Sequence, residues 1–288
     1  MANRQKKTDT FELPCGYLHP IMDAPPREEG EEVSAYYERS HTLHRTITVC
    51  EFDHDIDRDI ANRNVDAVEL LARHIVQIGD ITDPRVIKTQ VAPSLMKADY
   101  DYGLLRCRAM SLGPIFSIKE TCPKCREEND FEIDLSDFKV NDMADPYARL
   151  LEWTTASGDL TVWRHLAARD IEAISDIVED KDDEIRQVTA LRLISINGET
   201  PKKGLLKRGR LGRDGDKEVT PELHVKEASR MLDILAIPHG EKEAIRKALA
   251  KMVGSVDTLM RHRCKFCRAG WGSRVSIGMS FFMASSEV

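Results

Sequence analysis

CPKCREENDFEIDL (residues 122–135) and CKFCRAGWGSRVSIGMSF (residues 264–281) are the two stretches on which the fold turns. Each opens with a CxxC pair, Cys122 with Cys125 and Cys264 with Cys267. A CxxC pair in a tight turn aims two thiolates at one point. Four thiolates at ~2.3 Å close a tetrahedral site that leaves zinc no open position for chemistry. Behind the first pair, Phe131, Ile133 and Leu135 alternate with polar residues. Behind the second, Val275, Ile277, Met279 and Phe281 do the same. Period-two alternation marks half-buried strands. A knuckle that opens onto a strand, twice, is the sequence form of a zinc ribbon. In a simple ribbon the pairs lie about 15–20 residues apart, whereas here residues 126–263 separate them. The spacing predicts one ribbon split by an insertion. Two other readings stay open, namely two unrelated reduced pairs, or a redox dithiol. The redox reading expects a helix after the motif, and strands are expected here.

Composition narrows the function classes. Charged residues make up 32% of 288 residues, and the formal net charge is −7. A phosphate backbone or an anionic membrane needs concentrated positive charge, so neither is an expected general partner. The first ten residues carry no apolar run behind their basic side chains, so no secretory signal is expected. No run of 18 apolar residues occurs, so no membrane-spanning helix is expected. Seven cysteines, an odd number with CxxC clustering, suit a reducing compartment better than a disulfide framework.

The rest of the chain reads as helices around short strands. Residues 1–10 are polar and read as loose, and residues 11–20 read as an ordered irregular entry with Pro14, Gly16 and Pro20. Residues 23–34 read as an acidic loop and residues 46–50 as a strand. Asn64 suits a helix N-cap, with Val65, Val68, Leu71, Ala72, Ile75 and Val76 on one face and Gly79 closing it. A second helix is expected over 94–110, ended by Gly113 and Pro114, then a strand near 115–118. Residues 141–260 read as mostly helical, with a short element at 160–168 and apolar stripes over 168–179, 183–196, 221–237 and 241–260. Between these lies PKKGLLKRGRLGRDGDKEV (201–219), basic and glycine-rich. It reads as a solvated loop, with a docking arm for an acidic partner as the functional alternative.

No catalytic constellation emerges. An open zinc site needs three protein ligands and a free position, and no HExxH helix is present. The deaminase pattern requires an upstream H-x-E. Glu120 precedes Cys122, but His74 has no glutamate two residues on. His262 is two residues before Cys264, and the expectation is a surface residue or a donor to the metal's surroundings, not a ligand. Cys107, between Arg106 and Arg108, reads as a buried structural cysteine. The charges Asp99, Asp101, Arg106 and Arg108 read as surface pairs along one helix. No phosphate-binding glycine loop or nucleophile elbow appears.

The order of these features resembles a known family. The entry FELPCGYLHP (11–20) resembles the L-P-x-G start of baseplate hub assembly proteins from contractile-tailed bacteriophages. The helix around DYDYGLLRCR (99–108), the C-P-x-C knuckle at 122–125 with Ile133-Asp134-Leu135, and the closing knuckle with Ser280-Phe281-Phe282 follow in that family's order. The match covers about residues 10–140 and 255–288. Cys15 within the entry, the long 23–34 loop and the 201–219 arm depart from it. The resemblance implies a tail protein, not an enzyme, whose partners are other baseplate, hub or tail-tube proteins.

The expected architecture is α+β. Residues 1–140 form a β-containing region with the first knuckle, 141–260 a helical insertion, and 261–288 the second knuckle and a closing strand packed against the first region. One structural Zn2+ per chain is expected on Cys122, Cys125, Cys264 and Cys267. The expected function is a non-enzymatic baseplate or hub structural or assembly protein working through protein contacts. It would be found in the host cytoplasm during assembly and, where retained, in the virion tail. A zinc-ribbon nucleic-acid binder is the alternative, since Lys124, Arg126, Arg261, Arg263, Lys265 and Arg268 supply positive charge near the knuckles.

Overall fold

The computed structural model describes residues 6–52, 58–59, 67–170, 174, 181–201, 213–214, 217–218, 221–275, 277 and 281. Mixed α+β structure is observed, as expected. The first body starts with a long strand, β1 (Thr8–Pro20). After a short helix, α1 (Val33–Ser40), the chain returns as β2 (His41–Cys50). Helix α2 (Ala67–Ala72) leads to β3 (Ile75–Ile78), and the sheet order is β1-β2-β3. A helical stretch, α3 (residues 84–94), contains a π-helical turn at Ile87–Val91. Helix α4 (Lys97–Leu112) then packs against β1 and buries Tyr100, Leu104, Leu105 and Cys107 in the main core. Gly113 ends it at φ 91°, a left-handed backbone that suits glycine.

Several sequence expectations change here. Residues 8–10 are not loose, because Thr8, Asp9 and Thr10 pair with Cys50, Val49 and Thr48. The irregular entry is a strand interrupted by an excursion. Glu12 pairs with Thr46 and Tyr17 with His44, so residues 13–16 bulge opposite Arg45 alone. Ile75 and Val76 belong to β3, so the helix expected over 65–76 stops earlier; its N-cap Asn64 lies outside the described residues. Pairing with β2 outweighs helical spacing there, since Thr48 and Val49 pair with Gln77 and Ile75.

Two hairpins follow the same plan. β4 (Ile115–Thr121) pairs with β5 (Glu128–Asp134), and β13 (Leu259–Arg263) pairs with β14 (Gly270–Arg274). Between them in sequence, β6 (Lys139–Asn141) pairs with β12 (Ser255–Asp257), holding the two ends of the intervening segment side by side. That segment carries its own three-stranded antiparallel sheet as well as helices. β7 (Leu150–Thr154), β8 (Leu160–Arg164) and β9 (Leu193–Ile196) form it in that order. It packs on α5 (Lys181–Arg192), α6 (Pro221–Ile234) and α7 (His239–Met252) around Trp163, Leu193, Ala228, Leu232 and Ile245. The element expected at 160–168 is therefore a strand, and the helix expected over 183–196 ends in one. Two-residue strands β10 (Arg213–Asp214) and β11 (Lys217–Glu218) pair within 201–219. Most of that basic stretch, and of the 168–179 stripe, lies outside the described residues.

Helix α7 also stops short of the expected 260. At Gly254 an added Cβ would come within 2.9 Å of the Asn141 carbonyl and 3.0 Å of Cys15 Sγ. This close approach lets β12 reach β6. No helix among the described residues is long and apolar enough to cross a membrane.

Candidate metal centre

Both knuckles sit at hairpin tips and use the same backbone turn. The Cys122 N–H donates to the Glu127 carbonyl at 2.9 Å, and the Arg126 N–H returns to the Cys122 carbonyl at 2.9 Å. In the second hairpin, Cys264 N–H to Ala269 O (2.9 Å) and Arg268 N–H to Cys264 O (3.1 Å) repeat the pattern. The residue after each second cysteine takes a left-handed backbone, φ 62° at Arg126 and 58° at Arg268. Such a conformation costs a non-glycine residue about 1–2 kcal/mol, so the turns are held by their surroundings.

The turns bring four thiols together from distant sequence. Cys122 Sγ lies 3.6 Å from Cys267 Sγ, and Cys125 Sγ lies 3.5 Å from Cys264 Sγ. All four sulfurs lie within 4.8 Å of one another. A tetrahedron of thiolates around zinc at ~2.3 Å has an edge of ~3.8 Å, so the cluster is the right size. A disulfide, at ~2.05 Å, does not describe these contacts. Backbone N–H groups of Cys125 and Lys124 hold the Cys122 thiol below its ordinary range. Burial raises Cys264, but donors from the Cys267 and Phe266 backbone outweigh it and bring the thiol down to about 6. Cys122 and Cys264 are thereby held toward thiolate, the form that binds metal, whereas at Cys125 a backbone donor from Glu127 is outweighed by burial and the neighbouring thiols, which push it up to about 12.

Polar and aromatic contacts lock the hairpins to each other. Asn129 on β5 is 1% exposed. Its Oδ1 accepts from the Lys265 N–H at 2.9 Å, and its Nδ2 donates to the Glu127 carbonyl at 2.9 Å, so one amide holds both turns. Ser273 Oγ donates to Glu120 Oε1 at 3.0 Å, which links β14 to β4. That hydroxyl has one proton to give, so the His262 Nε2 contact to it at 2.7 Å requires His262 Nε2 as donor. The His262 ring packs between Phe131 (4.5 Å) and Trp271 (5.4 Å). His262 is buried and stands outside the four-thiol cluster.

The closing strand is displaced from its expected position. The strand is Gly270–Arg274, directly behind the knuckle, because its pairing with β13 is fixed by the turn. Beyond it Val275 and Phe281 enter the main core, while residues 276 and 278–280 of the expected strand lie outside the described residues. Arg108 receives this segment. It is 4% exposed, donates from Nε to the Phe281 carbonyl at 3.0 Å, and lies over the Phe116 and Phe281 rings at 4.6 and 5.0 Å. Cys15, Cys50 and Cys107 are buried apart from the cluster, and burial pushes the thiols of Cys15 and Cys107 up.

The charges on α4 have separate partners. Lys97 pairs with Asp101, but Arg106 reaches Asp9 on β1 at 2.6 Å and stacks over Phe11. Asp99 is fully buried beneath the 13–16 excursion. Its Oδ1 accepts from the Cys15 N–H (2.7 Å) and the Gly16 N–H (3.3 Å). Arg149, from the segment between the knuckles, donates to the Cys15 and Gly16 carbonyls at 3.0 and 2.9 Å. One carboxylate and one guanidinium thus satisfy the N–H and C=O groups of Cys15 and Gly16, while the Pro14 carbonyl accepts from the Met143 N–H at 2.8 Å. Sequence reasoning missed Asn129, Asp99, Arg108 and Arg149 as organising residues. None sits in a spacing pattern, because their partners are backbone groups remote in sequence.

A protein-family model described as T4 bacteriophage base plate protein matches residues 62–186. The matched span includes α4, Asp99, Arg108, Arg149 and the first CxxC, and it stops before the second. No curated protein and no solved structure matches the chain. Over residues 62–186 the chain is thus similar to a phage baseplate protein family.

Proposed function

We propose that this chain, matched to a phage baseplate protein family, is a non-enzymatic structural or assembly protein of the baseplate or its hub. It acts through contacts with other baseplate, hub or tail-tube proteins, in the host cytoplasm during assembly and in the virion tail where it is retained. A single structural zinc on Cys122, Cys125, Cys264 and Cys267 would fasten the body. The family match to residues 62–186 carries the baseplate reading. The four-thiol cluster, closed and sized for a tetrahedral ion, carries the zinc reading. In this reading residues 1–140 and 261–288 form one zinc-tied body, and 141–260 a lobe with its own core.

Quantitative mass spectrometry of purified particles and of tail intermediates tests the baseplate reading. The expected result is this chain at fixed stoichiometry in baseplates or in their precursors. Absence from both overturns it. Metal analysis of the chain purified without added metal tests the zinc reading, with one zinc per chain expected.

A further inference from the structure

The second hairpin carries a charge pattern that zinc binding does not require. Residues 259–274 hold five cations, Arg261, Arg263, Lys265, Arg268 and Arg274, and no carboxylate, in a chain of net charge −7. All five are exposed, and among the described residues none makes an ion pair. Register sorts them. Leu259, Arg261 and Arg263 share the outer face of β13, and they pair with Arg274, Gly272 and Gly270 of β14. Two glycines opposite two arginines leave bare backbone between the guanidinium groups. Leu259 lies over this strip, its Cδ1 3.4 Å from where a Gly272 Cβ would be. At the hairpin tip Phe266 is 64% exposed, beside Lys265 and Arg268. The result is a cationic outer face on a hairpin whose tip exposes an aromatic side chain.

We infer that this outer face of β13 and β14, with Phe266, docks an acidic patch on another baseplate protein. The inference rests on the baseplate reading above and names the surface it would use. Cations on an outer strand also discourage edge-to-edge pairing, but that role needs neither an all-positive hairpin nor an exposed aromatic at its tip. An interface does use such an anchor, since an aromatic in a partner pocket supplies affinity while the charges steer approach. Nucleic acid fits less well. The five cations form a short patch in a chain of net charge −7, and an extended phosphate backbone needs a longer positive track.

The test uses the full, zinc-loaded chain and purified baseplate precursors assembled in its absence. Binding is read by surface-immobilised kinetics at 50 and 300 mM NaCl. Arg261→Glu with Arg263→Glu and Arg274→Glu should weaken binding at least tenfold, mainly through association rate, and flatten the salt dependence. Phe266→Ser should accelerate dissociation. Zinc content and unfolding midpoint, measured on the same samples, should stay at the parent values. If the parent binds and these variants bind equally well, the docking face is wrong and the baseplate reading stands. If the parent does not bind the precursors, both fall. If a 30-base-pair DNA duplex binds the parent at 150 mM NaCl, and the Arg→Glu variants lose it while precursor binding is untouched, the face belongs to nucleic acid.

Discussion

Replacing Cys264 by serine should cost the protein a cross-link that spans its middle. The shortest loop closed through the cluster runs from Cys125 to Cys264, 139 residues apart. Treated as a covalent closure, a loop of that length constrains the unfolded chain by about 5 kcal/mol at 25 °C. Typical native stabilities are about 5–15 kcal/mol, so the term is a large share of the whole. Serine offers a hydroxyl in place of the Cys264 thiol that backbone donors already hold toward thiolate, and three thiolates cannot close the tetrahedron. The assay is zinc content together with urea unfolding of the full chain in reducing buffer. Tryptophan fluorescence reports on both bodies, since Trp163 lies in the second core and Trp271 packs beside the knuckles. With a urea dependence of about 3 kcal/mol per molar for a chain of this size, the midpoint should fall by roughly 1.7 M. A variant that keeps one zinc and the parent midpoint would show that the thiols are not one site. A variant that loses zinc without loss of midpoint would refute the cross-link energetics.

Asn129→Ala leaves the Lys265 N–H and the Glu127 carbonyl without their shared partner, so stability should fall by about 1–3 kcal/mol. Metal affinity should drop ~10–100-fold by chelator competition. Arg108→Ala removes the hold on the Phe281 carbonyl and the cation between two rings, and should cost about 2–4 kcal/mol in thermal unfolding. Gly254→Ala drives a Cβ against the Asn141 carbonyl and Cys15 Sγ, and should cost about 1–3 kcal/mol by urea midpoint. Burial lifts the Asp99 carboxyl to about 6, against donors from Cys15 and Gly16 and the charge of Arg149. The folded chain therefore keeps a proton there that the unfolded chain has released above pH ~4. The stability tied to this group is greatest below that pH and is lost as pH rises through 6. Asp99→Asn keeps an acceptor for the bulge and removes the titration. The stability difference between variant and parent should change between pH 4 and 7 by up to about 3 kcal/mol in favour of the variant. Parallel pH profiles would refute the assignment.

Local chemistry made the two knuckles and the helix around Leu104 legible in the sequence. A CxxC turn and a 3.6-residue apolar stripe are set by neighbours a few positions away, and no long-range contact is needed to recognise them. The sheet in the intervening segment was also written locally, in Thr155-Ala-Ser-Gly-Asp159 between β-forming stretches, where Gly158 takes φ 92°. Reading 141–260 as mostly helical passes over that turn. The rest was decided by tertiary structure. Gly254 ends a helical pattern because Cys15 and Asn141 come close to it. Asp99 and Arg149 are spent on the backbone of one bulge, and Asn129 spans both turns. Each depends on which backbone groups the fold leaves unpaired, and sequence spacing does not encode that. The four cysteines show the division most clearly. Their identity and pairing by twos are local, but that the two pairs meet within 4.8 Å depends on β6 pairing with β12 and on the hairpins locking side by side.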